Sequence, residues 1–223
     1  FNPLLSRPLI GGALPGKHIA PAVPVIQFRC APEGIVFEGL DKWGSRFTDE
    51  AGRLFEEYIG RNLQLKDGAE VLPEIVYKED KNKKHSVDWI VILPNAVLLV
   101  ECKNSMPMAN IREGAEDFVE AHDRLKQGIK QINRTAALIR EGKSEFTHIP
   151  ADRPIIGLLT TLSNFELANT PEIRDGLPNA EVPLSIVGPD TIEFLVTVPQ
   201  PALGELLDQV PNSIVGENIL VVA

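Results

Sequence analysis

The chain predicts an α/β fold, a mixed central sheet with helices on both faces. Three observations lead there. Residues 89–100 read as a hairpin that is apolar on both sides, with Ile90, Ile92, Val97 and Leu99 on one and Trp89, Val91, Leu98 and Val100 on the other. Strands of that kind are covered on both faces, usually by helices. Helical periodicity flanks the hairpin, from near Thr48 to Leu63 before it and from about Glu116 to Arg140 after it. Finally, the apolar run Pro154 to Leu162 (PIIGLLTTL) follows the second helix, and a strand reached by a helical crossover runs parallel to one already in the sheet.

The 223 residues, 43% of them hydrophobic, suffice for one well-buried domain and are few for two. One domain over residues 41–223 is therefore expected, with residues 1–40 as an appendage. The appendage is rich in proline and glycine, which predicts an extended arm over its first twenty or so residues. Two β-leaning runs, Val23 to Cys30 and Gly34 to Leu40, bracket Ala31-Pro32-Glu33 and predict a small accessory hairpin. Cys30 and Cys102 lack the spacing of a zinc site or disulfide framework and read as packing residues. No apolar stretch approaches the roughly 20 residues that span a bilayer, and no signal-peptide pattern opens the chain; a soluble, cytoplasmic protein is expected. The chain begins at Phe1, which leaves room for further domains or subunits upstream.

In the first helix, Thr48-Asp49-Glu50 is the expected cap, and Ala51, Leu54, Phe55, Tyr58, Ile59 and Leu63 recur at helical spacing. Glu56 and Glu57 flank that stripe on opposite sides. Glu74 to Tyr77, a basic loop (Lys81, Lys83, Lys84, His85) and the hairpin then predict a three-stranded antiparallel meander. The long helix carries Phe118, Leu125, Ile129, Ile132, Ala136 and Ile139 on one face. Lys126, Lys130 and Arg134 run beside it at spacings of four, with Gln127 and Gln131 adjacent, while His122 reads as a packed histidine. Val182 to Val187 offers a fifth strand, Asp190 to Val196 and Ala202 to Val210 short helices, and Ile219 to Val222 a closing strand or tail.

The chemistry concentrates at the open end of the hairpin. Pro94-Asn95 suits a two-residue turn that pairs Leu93 with Ala96. In that register Ile92 faces Val97, Ile90 faces Leu99, and Asp88 falls opposite Glu101, with Lys103 further along the same face. Two carboxylates on Cβ atoms roughly 4.5–5.5 Å apart repel each other unless a proton or a cation lies between them. A divalent metal satisfies the pair. A Lys103 ion pair to Glu101 or Asp88 without metal is the bland alternative, and a one-residue slip would send the two acids to opposite faces.

The order helix, three-strand meander, helix, strand, with an acid on the second strand and Glu-x-Lys on the third, resembles the PD-(D/E)xK nuclease superfamily over about Phe47 to Leu162. The resemblance implies a restriction-endonuclease-like fold, a three-layer α/β/α core of order αβββαβ. Gly52, Phe55 and Glu56 in GRLFEEYIGRNL resemble the first-helix pattern of the Mrr-type and nuclease-related-domain branches, which favours Glu56 over Glu57. By resemblance Asp88 is the metal-binding aspartate, Glu101 the second acid, Lys103 the catalytic lysine, and Gln131 a polar position on the helix after the meander. Val87 stands where the superfamily's name has proline.

Mg²⁺ (or Mn²⁺) is the expected cofactor, a hard ion suited to Asp88, Glu101 and the Cys102 backbone carbonyl, with Glu56 acting through water. The implied reaction is phosphodiester hydrolysis leaving 5′-phosphate and 3′-hydroxyl ends. The net charge of −9 excludes coating of nucleic acid by bulk electrostatics, so any contact falls to local cations: Lys81, Lys83 and Lys84, and Lys126, Lys130 and Arg134. A DNA endonuclease of restriction, anti-phage defence or repair type is the leading expectation, with RNA as a second substrate and a homodimer as one assembly. An inactive nuclease-like module for nucleic-acid binding or protein assembly is the alternative.

Overall fold

The structure, a computed structural model, describes residues 4, 7–104, 117–164, 166–200 and 202–203. The chain divides between Gly52 and Arg53 into two compact units.

The first unit departs from expectation. Its arm contains an antiparallel hairpin, β1 (Ile10–Leu14) with β2 (Lys17–Ile19), exposed along its whole length. The two runs predicted as strands are helices, α1 (Val23–Cys30) and α2 (Pro32–Trp43). Local β preference of valine, isoleucine and phenylalanine is weak, and the punctuation here is helical. Ala31 is extended, as a residue before proline prefers, and Pro32 lies in the first turn of α2, where a missing N–H costs nothing. Gly44, at φ 62°, closes α2 by donating its N–H to the Leu40 carbonyl at 2.9 Å. Cys30, expected to pack, is exposed.

The next helix, α3 (Ser45–Leu63), begins three residues before the predicted cap. The Thr48 hydroxyl donates to the Ser45 carbonyl at 2.6 Å, a bond inside the first turn and not a cap. Phe55, Ile59, Gly60 and Leu63 form its buried face. Leu54 and Tyr58, predicted on that stripe, are exposed, and the Tyr58 hydroxyl donates to Glu193 at 2.5 Å.

The second unit is built on a mixed five-stranded sheet of order β3-β6-β7-β8-β9, comprising β3 (Glu70–Pro73), β6 (Trp89–Ile92), β7 (Val97–Lys103), β8 (Ile155–Thr161) and β9 (Leu184–Val187). β3, β6 and β7 are antiparallel, and β8 and β9 run parallel to β7. The hairpin has the predicted register, Ile92 against Val97 and Ile90 against Leu99, closed by a 2.9 Å bond from the Leu93 N–H to the Ala96 carbonyl.

The meander is present, but its first strand is residues 70–73, not 74–77. Asp80 and Lys81 both have positive φ, 46° and 69°, as a two-residue primed turn requires. They fold the following stretch on itself as a separate ribbon, β4 (Val76–Glu79) with β5 (Asn82–His85).

The long helix, α4 (Asp117–Arg140), covers one face of the sheet. Its Leu125, Ile129, Ile132, Ala136 and Ile139 share a core with Ile90, Ile92, Val97, Leu99, Leu159 and Ile186; the Phe118 side chain lies outside the described residues. His122 is packed as expected, against Gly176. On the opposite face lie Trp89, Val91, Leu98 and Val100, where the Trp89 ring rests on Gly60 of α3 and its Nε1 donates to the Glu56 carbonyl at 3.1 Å. The helix predicted near Asp190 is present at Pro189–Thr197. The helix predicted to continue to Val210 and the segment Ile219 to Val222 lie outside the described residues beyond Leu203. Among the described residues no helix is long and apolar enough to cross a membrane.

At Gly60 α3 lies close against the sheet, since a Cβ there would stand 2.0 Å from Trp89 Cζ2. Gly60→Ala should therefore lower the unfolding free energy by about 1–3 kcal/mol, the usual cost of overpacking. Denaturant titration followed by tryptophan fluorescence measures it. Trp89→Phe in the same chain should recover part of the loss; an alanine variant as stable as the parent contradicts this packing.

Candidate active site

Asp88 immediately precedes β6, and Glu101, Cys102 and Lys103 end β7. The observed register, continued by one pair, sets Asp88 opposite Glu101. The Cys102 N–H donates to Asp88 Oδ2 at 2.7 Å, and Lys103 Nζ lies 2.6 Å from Glu101 Oε1. Glu101 and Lys103 share the face of Val97 and Leu99, under α4. Gly128 gives the lysine its room there, because a Cβ at that position would stand 3.4 Å from Lys103 Cε and 2.5 Å from Leu159 Cδ1.

Glu101 is 1% exposed, and its second carboxylate oxygen, Oε2, is buried without a hydrogen-bond partner among the described residues. A buried charged oxygen left unpaired is costly, and burial drives the electrostatics of the whole site. It pushes Glu101 up to about 8, with the Asp88 charge adding to the effect and Lys103 opposing it. Burial likewise raises Asp88 to about 6, against the Cys102 N–H and reinforced by Glu56. A cation between the two acids would reverse this preference for protons.

The two helical glutamates separate. Glu57 pairs with Arg61 and, at 3.6 Å, with Arg53 along α3. The Glu56 carboxyl is raised by burial and by Glu74 and lowered by Lys103, which brings it within electrostatic reach of the hairpin acids.

Gln131, expected among the catalytic groups, instead grips the backbone. Its Nε2 donates to the Ser86 carbonyl at 2.5 Å, two residues before Asp88. Thr135, one turn further along α4, accepts the Val87 N–H at 3.1 Å. The Ser86 hydroxyl accepts the Ile75 N–H and donates to the Val87 carbonyl, each at 2.8 Å. These contacts pin the strand that delivers Asp88. They also account for Val87, which is fully buried and uses an N–H that proline lacks. Ser86 and Thr135 escaped the sequence reading; for Thr135 the available signal was a hydroxyl among the apolar positions Ile132, Ala136 and Ile139.

The expected basic stripe on α4 does not act as a unit. Arg134 pairs with Glu79 of β4, and Lys126 lies 3.6 Å from Asp123. Lys130 is exposed, as are Lys81, Lys83 and Lys84. Among the described residues no three histidine, cysteine or acidic side chains form a ready metal cluster. The oxygens the chain does bring together, Asp88 and Glu101 with one buried carboxylate oxygen unpartnered, fit a hard ion that binds through one or two carboxylates and keeps its waters.

Residues 51–159 match the family model of the nuclease-related domain, a span running from α3 into β8 that contains every residue of the site. No curated protein matches the chain. Among solved structures, the small subunit of the heterodimeric restriction endonuclease R.BspD6I is similar at 12% identity, over 78% of this chain and 91% of that one, with a TM-score of 0.41.

The raised acids make stability depend on pH. Glu101 holds its proton more tightly folded than unfolded, so its contribution is fully present below about pH 4.5 and is lost as pH rises through about 8. Glu101→Gln cannot ionise, and in metal-free buffer it should melt several degrees above the parent at pH 8.5, at about 2–4 °C per kcal/mol for a chain this size. The gain should vanish near pH 4.5. Thermal unfolding across that range checks it, and a difference independent of pH would contradict the burial argument.

Proposed function

We propose, on the match of residues 51–159 to the nuclease-related domain model, that the chain is a nuclease of the PD-(D/E)xK, restriction-endonuclease-like superfamily and a divalent-metal-dependent phosphodiesterase cutting DNA. One observation supports this above the others. Asp88, Glu101 and Lys103 stand together at one end of the β6–β7 hairpin, with a buried Glu101 oxygen that none of the described residues satisfies. A purely structural ion pair leaves no reason for the second acid, or for the orphaned oxygen.

Asp88, Glu101 and the Cys102 backbone carbonyl would hold Mg²⁺ or Mn²⁺, with Glu56 contributing through water. When bound, such an ion supplies Lewis acidity toward a phosphoryl oxygen and lowers the pKa of water. The chain's own residues do the rest. Lys103 brings a positive charge along the same face to the phosphate, where it orients the attacking water or stabilises the extra negative charge of the transition state. Cys102 keeps Asp88 aimed through its N–H. Gln131 and Thr135 hold the approach to Asp88 rigid through the backbone, so they are positioning residues. By family likeness the products carry 5′-phosphate and 3′-hydroxyl ends, and the setting is cytoplasmic restriction, anti-phage defence or repair. RNA is the second substrate to test, since metal and phosphate chemistry are blind to the sugar.

A specific observation favours a second reading. The 2.6 Å contact of Lys103 with Glu101 neutralises part of the site without a cation, as a nuclease-like module for binding or assembly would require.

Asp88→Ala and Lys103→Ala should each reduce Mg²⁺- or Mn²⁺-dependent DNA cleavage by about 100-fold or more while circular dichroism and melting temperature show an intact fold. Variants that cut as well as the parent would refute the site. Calorimetry showing no divalent-ion binding to the parent would select the module.

A further inference from the structure

The β4–β5 ribbon is held to the body of its unit on one face and bare on the other. Tyr77 is buried, edge-on to Phe146 with ring centroids 5.7 Å apart, beneath the Lys143 ammonium at 5.5 Å. Glu79, two residues on and on the same face, pairs with Arg134. Lys143 also donates to the Lys78 carbonyl at 2.8 Å, and the Lys78 N–H reaches Glu145 at 3.4 Å. The backbone of β4 is thus fixed, while every residue of β5 is exposed.

The register places Lys78 directly opposite Lys83. Both lie on the outer face, because Tyr77 and Glu79 take the inner one. Like charges directly opposite in an antiparallel pair are destabilising. Among the described residues no carboxylate pairs with Lys78, Lys81 or Lys83. Lys81 occupies the turn in the left-handed region, beside Asp80; of the other nearby acids, Glu79 is taken by Arg134 and Glu74 by His85. A fixed frame that presents two facing ammonium groups to solvent calls for an anion from outside.

We propose that the outer face of this ribbon, Lys78 and Lys83 with Lys81 at the turn, binds the phosphates of a polynucleotide backbone beside the scissile bond. The proposal rests on the nuclease reading for its substrate and adds a site to it. Lys78 is a cation that the sequence pattern alone did not single out, since its pairing with Lys83 exists only in the folded register. Asp88 lies five positions after Lys83, at most about 18 Å of chain, or about five nucleotides at roughly 3.4 Å each along a strand. Ser86 and Val87, inside that connection, are pinned to α4, so ribbon and site keep a set spacing. The α4 cations play a different part, with Arg134 committed to holding the ribbon.

The test compares the parent with Lys78→Ala/Lys83→Ala and Lys78→Glu/Lys83→Glu double variants. Binding to a short labelled duplex DNA and to an RNA of equal length is read by fluorescence anisotropy in EDTA, between about 50 and 200 mM salt. Hydrolysis of a small chromogenic phosphodiester with Mn²⁺ is read separately, since that substrate is too short to reach the ribbon. The expected result is weaker binding in both variants, most in the glutamate pair, with the slope of log affinity against log salt reduced by about 2 in the alanine pair for two lost phosphate contacts on duplex. Small-diester hydrolysis should not change. Loss on both polymers supports backbone recognition without regard to sugar, and loss on one supports it for that polymer. Unchanged affinity and slope, or a parent that binds neither polymer, overturns the proposal. A parent that binds DNA through the ribbon yet hydrolyses nothing overturns the nuclease reading instead.

Discussion

The pairing register of β6 against β7 is the constraint on which the candidate site depends. Side chains alternate with a period of two, so a slip of one residue would carry Glu101 and Lys103 to the face of Trp89 and separate them from α4. In most half-buried sheets the apolar pattern forbids such a slip. Here both faces are apolar, and the pattern alone is permissive. The register is selected by contacts at the two ends and on one flank. Leu93 bonds Ala96 across the turn, Arg153 donates to the Leu93 carbonyl at 2.5 Å, and Val97 takes the Pro154 carbonyl at 2.8 Å. At the other end the Cys102 N–H meets Asp88. On the flank, the Trp89 ring fits against Gly60 and bonds the Glu56 carbonyl, which ties the glutamate-bearing helix to the same strand that delivers Asp88.

That arrangement sets stability against chemistry. A sheet covered on both faces is a poor solvent for charge, yet the ends of two of its inner strands carry two acids and a lysine. Burial is the first cause of the raised pKa of Asp88 and of Glu101, ahead of the Glu56 charge at Asp88 and of the Asp88 charge at Glu101. Lys103 offsets part of this through one Glu101 oxygen, and the other has no partner among the described residues. Sites of this kind are conditional, strained toward protonation when empty of cations and toward ionisation when a cation is present.

Helix α4 serves both the sheet and the ribbon of the second unit. One stripe packs on the sheet, Gly128 admits Lys103 and Leu159, Gln131 and Thr135 hold the backbone before Asp88, and Arg134 holds the ribbon. Polar groups beside an apolar stripe read in sequence as a solvated or phosphate-facing edge. In the fold they are mostly engaged with the protein's own backbone and acids, which shifts the exposed positive charge onto the ribbon.

Much of this was legible in the sequence, for local reasons. The two-faced apolar hairpin, the helical stripes around it and the crossover to Pro154 determine an α/β sheet with helices on both sides, because periodicity and turn chemistry act over a few residues. The spacing of Asp88, Glu101 and Lys103 about Pro94-Asn95 determines that they can meet. Only the tertiary structure decided the remainder. Residues 23–43 are helical because Pro32 and Gly44 mark helix ends that β-branched composition conceals. The strand beside β6 is residues 70–73 because two residues at positive φ divert the next segment into its own ribbon. Gln131 turned to a backbone carbonyl, Thr135 joined it, and Lys78 came to face Lys83. Those are long-range pairings between segments distant in sequence, and no local pattern encodes which partner a polar side chain will find once the chain is packed.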